Sequence, residues 1–225
     1  MSELKIVAIV PMRHSSQRVP GKNYRSFAGV PLYHHIVSTL LACPEISNVV
    51  IDTDSDVIRE DVTSVFPTVT LHQRPSHLRS GTTPMNDVLR NTVKNIDADF
   101  YLQTHSTNPL LKSATISAAI NAFLRQQDAF DSLFSVTRLQ TRLWDMKTRP
   151  LNHDPQVLLR TQDLEPVFEE NSCLYIFSKN SLEKQGNRIG SQPMMFEIEK
   201  LEAQDIDEEI DFVLAELLCT QSAKE

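Results

Sequence analysis

Glycine is scarce in this sequence, with 5 among 225 residues, and the glycine-dependent motifs of several enzyme classes are missing. No GxGxxG stretch occurs. The pair Gly21-Lys22 has no upstream glycine and is followed by Asn23, so neither a dinucleotide fingerprint nor a Walker A loop is present. A GxSxG nucleophile elbow is also absent, which argues against an α/β-type serine hydrolase. The sequence therefore predicts no phosphate site of either glycine-rich type.

Cysteine and metal-binding histidine patterns are equally sparse. Cys43, Cys173 and Cys219 lie far apart without a CxxC pair, so the sequence predicts neither a disulfide framework nor a zinc knuckle. We expect three buried thiols. No HExxH motif occurs, and the adjacent His34 and His35 diverge by about 100° on a helix, so they cannot chelate one ion.

Two further absences limit partners and location. No apolar run approaches the roughly 20 residues that span a bilayer, and the first run is too short for a signal peptide. The formal net charge of -7 excludes the broad basic field that nucleic acids and membrane surfaces require. We therefore expect a cytoplasmic protein with no nucleic-acid or membrane partner, in which local geometry holds any bound anion.

What the sequence does contain is a regular alternation of strand and helix patterns. "KIVAIVP" and "SNVVIDTDS" are apolar runs that end in polar loops, and "PLYHHIVSTLLACPEI" between them has helical spacing. The same alternation continues to about residue 136. It predicts an α/β fold class, with a mostly parallel sheet, helices on both faces and ligands at the carboxyl ends of the strands.

The alternation stops between about residues 137 and 170. This segment contains scattered charges, three prolines and Trp144, which is the only tryptophan. We interpret this segment as an arm that is inserted into a single domain, which comprises residues 1–225. We expect the arm to form an interface with another subunit. The alternation resumes with the strand "ENSCLYIFS" and a last helix, whose predicted buried face contains Ile210, Val213, Leu214, Leu217 and Leu218.

Two segments contain candidate ligands for a charged substrate. The loop "PMRHSSQRVPGKN" combines Arg13, Arg18 and Lys22 with two serines, and could surround a triphosphate; the alternative is an ordinary solvated loop. In "DIDEEID", the carboxylates of Asp205 and Asp207 would share one face of an extended segment, which suits Mg²⁺. The alternative there is an acidic first turn of the last helix.

Five motifs together resemble one family. They are "PMRHSSQRVPGKN", "VVIDTDS", "QRPSHLRSGTTPMNDVL", "YLQTHSTNPLL" and "DIDEEIDF". Their order and spacing are similar to those of the cytidylyltransferases that activate 3-deoxy-2-keto sugar acids, namely the CMP-acylneuraminate synthetases and their relatives for pseudaminic acid and Kdo. The resemblance implies a three-layer nucleotide-diphospho-sugar transferase (Rossmann-like) fold with a dimerisation arm, and therefore a homodimer.

The resemblance also implies an activity and roles for individual residues. CMP would pass from CTP to the anomeric hydroxyl of an acylneuraminate-like sugar acid, with release of pyrophosphate. The implied catalytic residues are Arg13, Lys22 and Asp207, and the implied Mg²⁺ ligands are Asp205 and Asp207. Implied nucleotide contacts are Arg13, Ser16, Lys22, Asn23, Arg74, Ser80, Thr82 and Gln103. Implied sugar contacts are Gln103, Arg160 and Gln162.

Some residues depart from the family pattern and leave alternatives open. Arg18 matches Kdo-type relatives, whereas the loop after Gln103 lacks their acidic residue and favours the acylneuraminate branch. His105 and Thr107 match neither branch. The alternatives are a same-fold nucleotidyltransferase acting on Kdo, pseudaminic or legionaminic acid or on another nucleoside triphosphate, and a non-catalytic nucleotide-binding homologue.

Overall fold

A computed structural model describes residues 4–222. The strands are β1 (Ile6–Met12), β2 (Ser26–Phe27), β3 (Val30–Pro31), β4 (Asn48–Thr53), β5 (Thr70–Gln73), β6 (Phe100–Thr104), β7 (Ser132–Leu139), β8 (Val167–Phe177) and β9 (Pro193–Glu197). Seven of them form one sheet in the order β5-β4-β1-β6-β8-β7-β9, and β2 pairs with β3 separately.

Helices cover both faces of the large sheet. They are α1 (Leu32–Leu41), α2 (Asp56–Val65), α3 (Met85–Asn95), α4 (Ser113–Leu124), α5 (Lys179–Gln185) and α6 (Glu209–Ser222). Because successive side chains of a strand point to opposite faces, β1 contributes Ala8 and Val10 to a core with α1, α2 and α4. Val7 and Ile9 belong to a second core with α3 and α5. The predicted three-layer α/β fold is confirmed.

The sheet is mostly parallel, as predicted, with one exception. β5, β4, β1 and β6 run parallel, so their carboxyl ends meet at one edge. β8 runs antiparallel to both β6 and β7, which the sequence pattern did not reveal. The β7–β8 register shifts between Phe134 and Val136, and Ser172 in the opposing stretch has a φ of 58°. This irregularity is a β-bulge, which bends a strand and redirects its side chains.

The inserted segment is shorter than predicted, because its two ends belong to β7 and β8. Residues 140–166, which we call the arm, contain an isolated bridge between Trp144 and Pro150 and one short 3₁₀ turn, Thr161–Asp163. Leu164 is buried, whereas Met146 is 97% exposed and Leu158 is 90% exposed. The arm therefore displays apolar side chains that its own chain leaves uncovered.

The predicted buried face of α6 is wrong. Ile210, Val213, Leu214 and Leu217 are exposed, and the helix instead buries Phe212 and Ala215 in a small core that also contains Val19, Phe27, Leu32 and Ile206. Apolar residues occur around most of the circumference of α6, so its periodicity could not identify the packed side. Within residues 4–222, no helix is long and apolar enough to cross a membrane.

Candidate active site

The loop after β1 turns back over the sheet edge through Gly21. Gly21 has a left-handed φ of 65°, and a Cβ at this position would lie 2.9 Å from the ring of Tyr24. Only glycine fits such a turn without strain. The turn leads into the 3₁₀ helix Lys22–Tyr24, while Val19 is buried beneath the loop. Lys22 is thereby held at the carboxyl edge of the sheet.

This edge contains a cavity of about 460 Å³, which we call the basic cavity. Six of the predicted nucleotide-binding residues line it, namely Arg13, Ser16, Lys22, Asn23, Arg74 and Ser80. Arg18, His105 and Thr107 line it as well. The loops after β1 and β5 therefore contribute cations to one cavity of a chain whose net charge is -7, and the loop after β6 adds His105 and Thr107. Cations and hydroxyls in this arrangement suit a polyphosphate.

Arg13 approaches the loop after β5 at Gly81. A Cβ on Gly81 would lie 2.9 Å from Nη1 of Arg13, so the absence of a side chain leaves room for the guanidinium. Ser80 lines the cavity beside it, whereas Thr82 does not. The hydroxyl groups of Ser80 and Thr82 are 2.9 Å apart, so Thr82 is placed to support Ser80.

The amide of Asn23 is engaged within the protein. Its Nδ2 donates to the carbonyl of Arg13 over 2.8 Å, and its Oδ1 accepts from Ser106 over 2.7 Å. Asn23 therefore ties the loop after β1 to the loop after β6. A contact from this amide to a nucleotide remains a prediction.

Arg74 is almost fully buried, and its guanidinium is paired with a buried carboxylate. Its Nε donates to Oδ1 of Asp52 over 2.5 Å, and Thr92 donates to the other carboxylate oxygen over 2.6 Å. Both charged side chains are at most 2% exposed. A buried charge is stable only when it is paired and hydrogen-bonded, so this network fixes the position of Arg74 at the cavity wall.

Gln103 is fully buried and makes three hydrogen bonds through its side-chain amide. Its Oε1 accepts from Arg188 over 2.5 Å, and its Nε2 lies 3.0 Å from both the carbonyl of Thr104 and Nε2 of His105. Arg188 stacks on Tyr175, with 3.5 Å between its guanidinium carbon and the ring centroid. Sequence reasoning missed Arg188, since no motif connects the segment after α5 with the loops at the sheet edge.

The two predicted metal ligands lie at the entrance to α6. Asp205, Asp207 and Asp211 line a cavity of about 400 Å³, which we call the acidic cavity. Asp211 accepts from the backbone N–H groups of Asp207 and Glu208 over 3.1 and 2.8 Å. Asp211 lies in the first turn of α6 and binds the backbone N–H groups that precede the helix, which is one half of a capping box. Asp211 therefore stabilises the start of α6.

Lys22 and Arg18 connect the basic cavity to Asp207. Arg18 donates to Oδ1 of Asp207 over 2.6 Å, and Nζ of Lys22 lies 4.0 Å from the same oxygen. Burial lowers the pKa of Lys22, while the carboxylates of Asp205 and Asp207 act in the opposite direction. Burial raises the pKa of Asp205, as does the neighbouring Asp207. The arrangement places opposite charges beside one another at the boundary of the two cavities.

The donor set at Asp205 and Asp207 fits a divalent cation that takes its other ligands from elsewhere. Among residues 4–222, Oδ1 of Asp205 is buried and has no hydrogen-bond partner, so it is an oxygen ligand left available. No cluster of three or more His, Cys, Asp or Glu side chains within residues 4–222 is arranged to hold a metal. Mg²⁺ commonly binds through one or two carboxylates together with water and phosphate oxygens.

Arg160 and Gln162 are not brought to either cavity of their own chain. Both are exposed on the arm, where Arg160 makes a bidentate pair with Asp163 over 2.7 and 3.0 Å. The backbone carbonyl of Gln162 accepts from Gln140 within the arm. Contact of these side chains with a sugar stays a prediction.

Comparison with known proteins identifies the family. A family model described as cytidylyltransferase matches residues 7–222. The chain belongs to the cytidylyltransferase family. This confirms the resemblance inferred from the five sequence motifs, and it agrees with the position of the basic cavity at the sheet edge.

Three similar proteins illustrate the relatives of this chain within the family. N-acylneuraminate cytidylyltransferase A of Danio rerio is 27% identical over 219 residues, covering 94% of this chain and 50% of the fish protein. CMP-N,N'-diacetyllegionaminic acid synthase of Legionella pneumophila is 25% identical over 231 residues, covering 96% of each protein. A solved structure of CMP:2-keto-3-deoxy-manno-octonic acid synthetase complexed with CTP has a TM-score of 0.71 at 15% identity, covering 97% of this chain and 99% of that chain. The chain thus spans about half the length of its fish relative and nearly all of the bacterial one.

Proposed function

We propose that this protein transfers CMP from CTP to the anomeric hydroxyl of a 2-keto-3-deoxy sugar acid and releases pyrophosphate. The observation that carries the proposal is the position of Lys22, which lines the basic cavity and lies 4.0 Å from Asp207. Relatives named for acylneuraminic and legionaminic acids support the substrate class.

The basic cavity suits the demands of this reaction. The anomeric oxygen attacks the α-phosphate, and negative charge moves to the leaving pyrophosphate, so catalysis depends on positioning and on electrostatic stabilisation. Arg13 and Lys22 would bind the triphosphate, with Ser16 and Ser80 as hydroxyl donors. Gly81 gives Arg13 the space to reach it. Arg74, held by Asp52, would form the more rigid wall beside the nucleoside.

Asp205 and Asp207 would hold one Mg²⁺ at the boundary of the two cavities. Oδ1 of Asp205, which is buried and finds no hydrogen-bond partner in the described part of the chain, supports this assignment. When bound, the ion would neutralise charge on the triphosphate. Asp207 already faces Arg18 and Lys22, so its carboxylate would be shared between the protein cations and the site.

The arm would form a homodimer interface. Its exposed apolar residues include Met146, Leu151 and Leu158, which a second subunit would cover. Arg160 and Gln162 lie on the same arm, away from the cavities of their own chain. We therefore propose that they contribute to the sugar site through the dimer.

Release of pyrophosphate from CTP, GTP and UTP tests this function directly. The purified protein would be assayed with Mg²⁺ and a panel of eight-carbon and nine-carbon 2-keto-3-deoxy acids. Turnover that requires both CTP and one of these acids is the expected result. Release that depends on another nucleotide, or no release with any acid, would contradict the proposal. The acid with the highest kcat/KM identifies the substrate.

A further inference from the structure

Three side chains beside the basic cavity form a directed hydrogen-bond chain. Arg188 stacks on Tyr175 and donates through Nη1 to Oε1 of Gln103 over 2.5 Å. Nε2 of Gln103 lies 3.0 Å from the carbonyl of Thr104 and 3.0 Å from Nε2 of His105. Gln103 is fully buried.

The chemistry of the groups fixes the direction of each bond. A guanidinium only donates, so the oxygen of the Gln103 amide must face Arg188. The amide nitrogen then faces Thr104 and His105, and it uses one hydrogen for each. Because this nitrogen can only donate, Nε2 of His105 must accept. A neutral imidazole that accepts at Nε2 has its proton on Nδ1.

His105 belongs to the lining of a binding site. The residue lines the basic cavity beside Lys22, and within residues 4–222 its Nδ1 makes no hydrogen bond. Burial and the charges of Arg188 and Lys22 lower the pKa of His105 to about 3. The ring is therefore neutral over the physiological range and has one N–H to give, which suits an acceptor such as a phosphate oxygen.

We propose that Arg188 is a positioning residue that acts through Gln103 to hold His105 as the Nδ1–H tautomer, and that His105 donates this hydrogen to a phosphate oxygen of the nucleotide. The first half depends only on the contacts described above. The second half rests on the proposed function. Arg188 and His105 thus account for two of the three hydrogen bonds that the Gln103 amide makes beside the basic cavity.

The tautomer can be measured on the full-length protein by ¹⁵N NMR of its histidine rings. His105 is assigned from the signals that disappear in His105→Gln. In the native protein we expect protonated Nδ1 and unprotonated Nε2. Gln103→Glu should protonate Nε2, because a carboxylate accepts and has no hydrogen to donate. His72, whose Nε2 lies 2.9 Å from Nδ2 of Asn91, is a control that should not change.

Two substitutions of Arg188 separate positioning from packing. Arg188→Met keeps an apolar stem over Tyr175 but removes every donor, so the Gln103 amide is free to turn and a mixture of tautomers is expected. Arg188→Lys retains a donor and should keep more of the native tautomer. Circular dichroism confirms that each variant is folded. A protonated Nε2 in the native protein, or an unchanged tautomer in both Gln103→Glu and Arg188→Met, overturns the positioning role.

Calorimetric titration with CTP tests the second half without requiring turnover. Because a hydrogen bond to a charged group contributes about 1.5–3 kcal/mol, His105→Ala should weaken CTP binding by about tenfold to a hundredfold. Unchanged affinity in His105→Ala overturns the phosphate contact. If the native protein does not bind CTP, the phosphate contact and the proposed function both fail. If CTP binds as predicted but no sugar acid is activated, only the proposed function fails.

Discussion

Nζ of Lys22 donates a hydrogen bond to the backbone carbonyl of Ile206 over 2.5 Å, although 184 positions separate the two residues. Ile206 lies between Asp205 and Asp207, and its own side chain is fully buried. The first loop of the sheet is thereby fixed to the acidic segment before the last helix. Neither end of the chain forms this site alone.

Lys22→Met should abolish most turnover while leaving the fold intact. Methionine has a similar shape but no charge, so it cannot stabilise the negative charge that develops on the phosphates. We expect a loss of at least ~3 kcal/mol in kcat/KM, or about a hundredfold. Pyrophosphate release measures the effect, and Lys179→Met, at an exposed lysine of α5, is the matched control. A near-native rate in Lys22→Met would show that Lys22 has no role in catalysis.

Asp207→Asn and Asp211→Asn should respond differently to Mg²⁺. The amide of Asp207→Asn has no net charge to offset a divalent cation, so half-saturation of the rate should move to a much higher metal concentration. Asp211 binds backbone N–H groups at the start of α6, and Asp211→Asn should cost at most about 1 kcal/mol of stability with little change in the metal response. Turnover titrated with Mg²⁺ compares the two. Equal shifts would mean that the carboxylates are assigned wrongly.

The sequence was sufficient to place the cations of the basic cavity. Arg13, Lys22 and Arg74 each follow a strand of a parallel sheet, and the carboxyl ends of such strands share one edge. Strand direction was harder to predict, because side-chain periodicity is the same in parallel and antiparallel pairs. The reversal of β8 therefore could not be read from its residues.

The hydrogen bonds of buried amides were also beyond sequence reasoning. The sequence predicted that Asn23 and Gln103 contact the substrate. In the structure, Asn23 is hydrogen-bonded to Arg13 and Ser106, and Gln103 is hydrogen-bonded to Arg188. A motif identifies a residue type and a loop, whereas its partners depend on the distance between loops in the folded chain. The same limit applies to α6, whose packed side is chosen by Val19, Phe27 and Leu32 rather than by the helix itself.

Ser172 should be strained by its left-handed backbone, with a φ of 58° in the β-bulge. Ser172→Gly and Ser172→Ala both remove the hydroxyl that lies 3.1 Å from that of Tyr175, but only glycine relieves the backbone. Ser172→Gly should therefore be more stable than Ser172→Ala by about 1 kcal/mol. Urea denaturation gives the two free energies of unfolding. Equal stability would show that the backbone of Ser172 is not strained.

The arm should determine the oligomeric state. Met146→Glu combined with Leu158→Glu places charges on two of its most exposed apolar positions, and burial of these charges in an interface would be unfavourable. We expect a native dimer and a monomeric double variant by light scattering at micromolar concentration. Val57→Glu is the matched control, since Val57 is a half-exposed apolar residue on α2. A monomeric native protein contradicts the prediction.

His105 should make the protein less stable in acid. Its pKa falls from about 6.5 in an unfolded chain to about 3 in the folded protein, because of burial and the charges of Arg188 and Lys22. Between these values the unfolded state binds the additional proton, so the free energy of unfolding decreases as the pH falls through this window. Glutamine does not titrate, and it can still accept a hydrogen bond from Gln103. His105→Gln should therefore lose less stability than the native protein between about pH 7 and about pH 4.5, by up to about 2 kcal/mol.

Urea denaturation at the two pH values measures this difference. His77→Gln removes an exposed imidazole and controls for the loss of one histidine. Each variant is compared with the native protein by its own change between the two pH values, so a constant offset in stability cancels. If His105→Gln loses as much stability in acid as the native protein, then His105 takes up a proton in the folded state. The assignment of a neutral imidazole beside Lys22 would then be wrong.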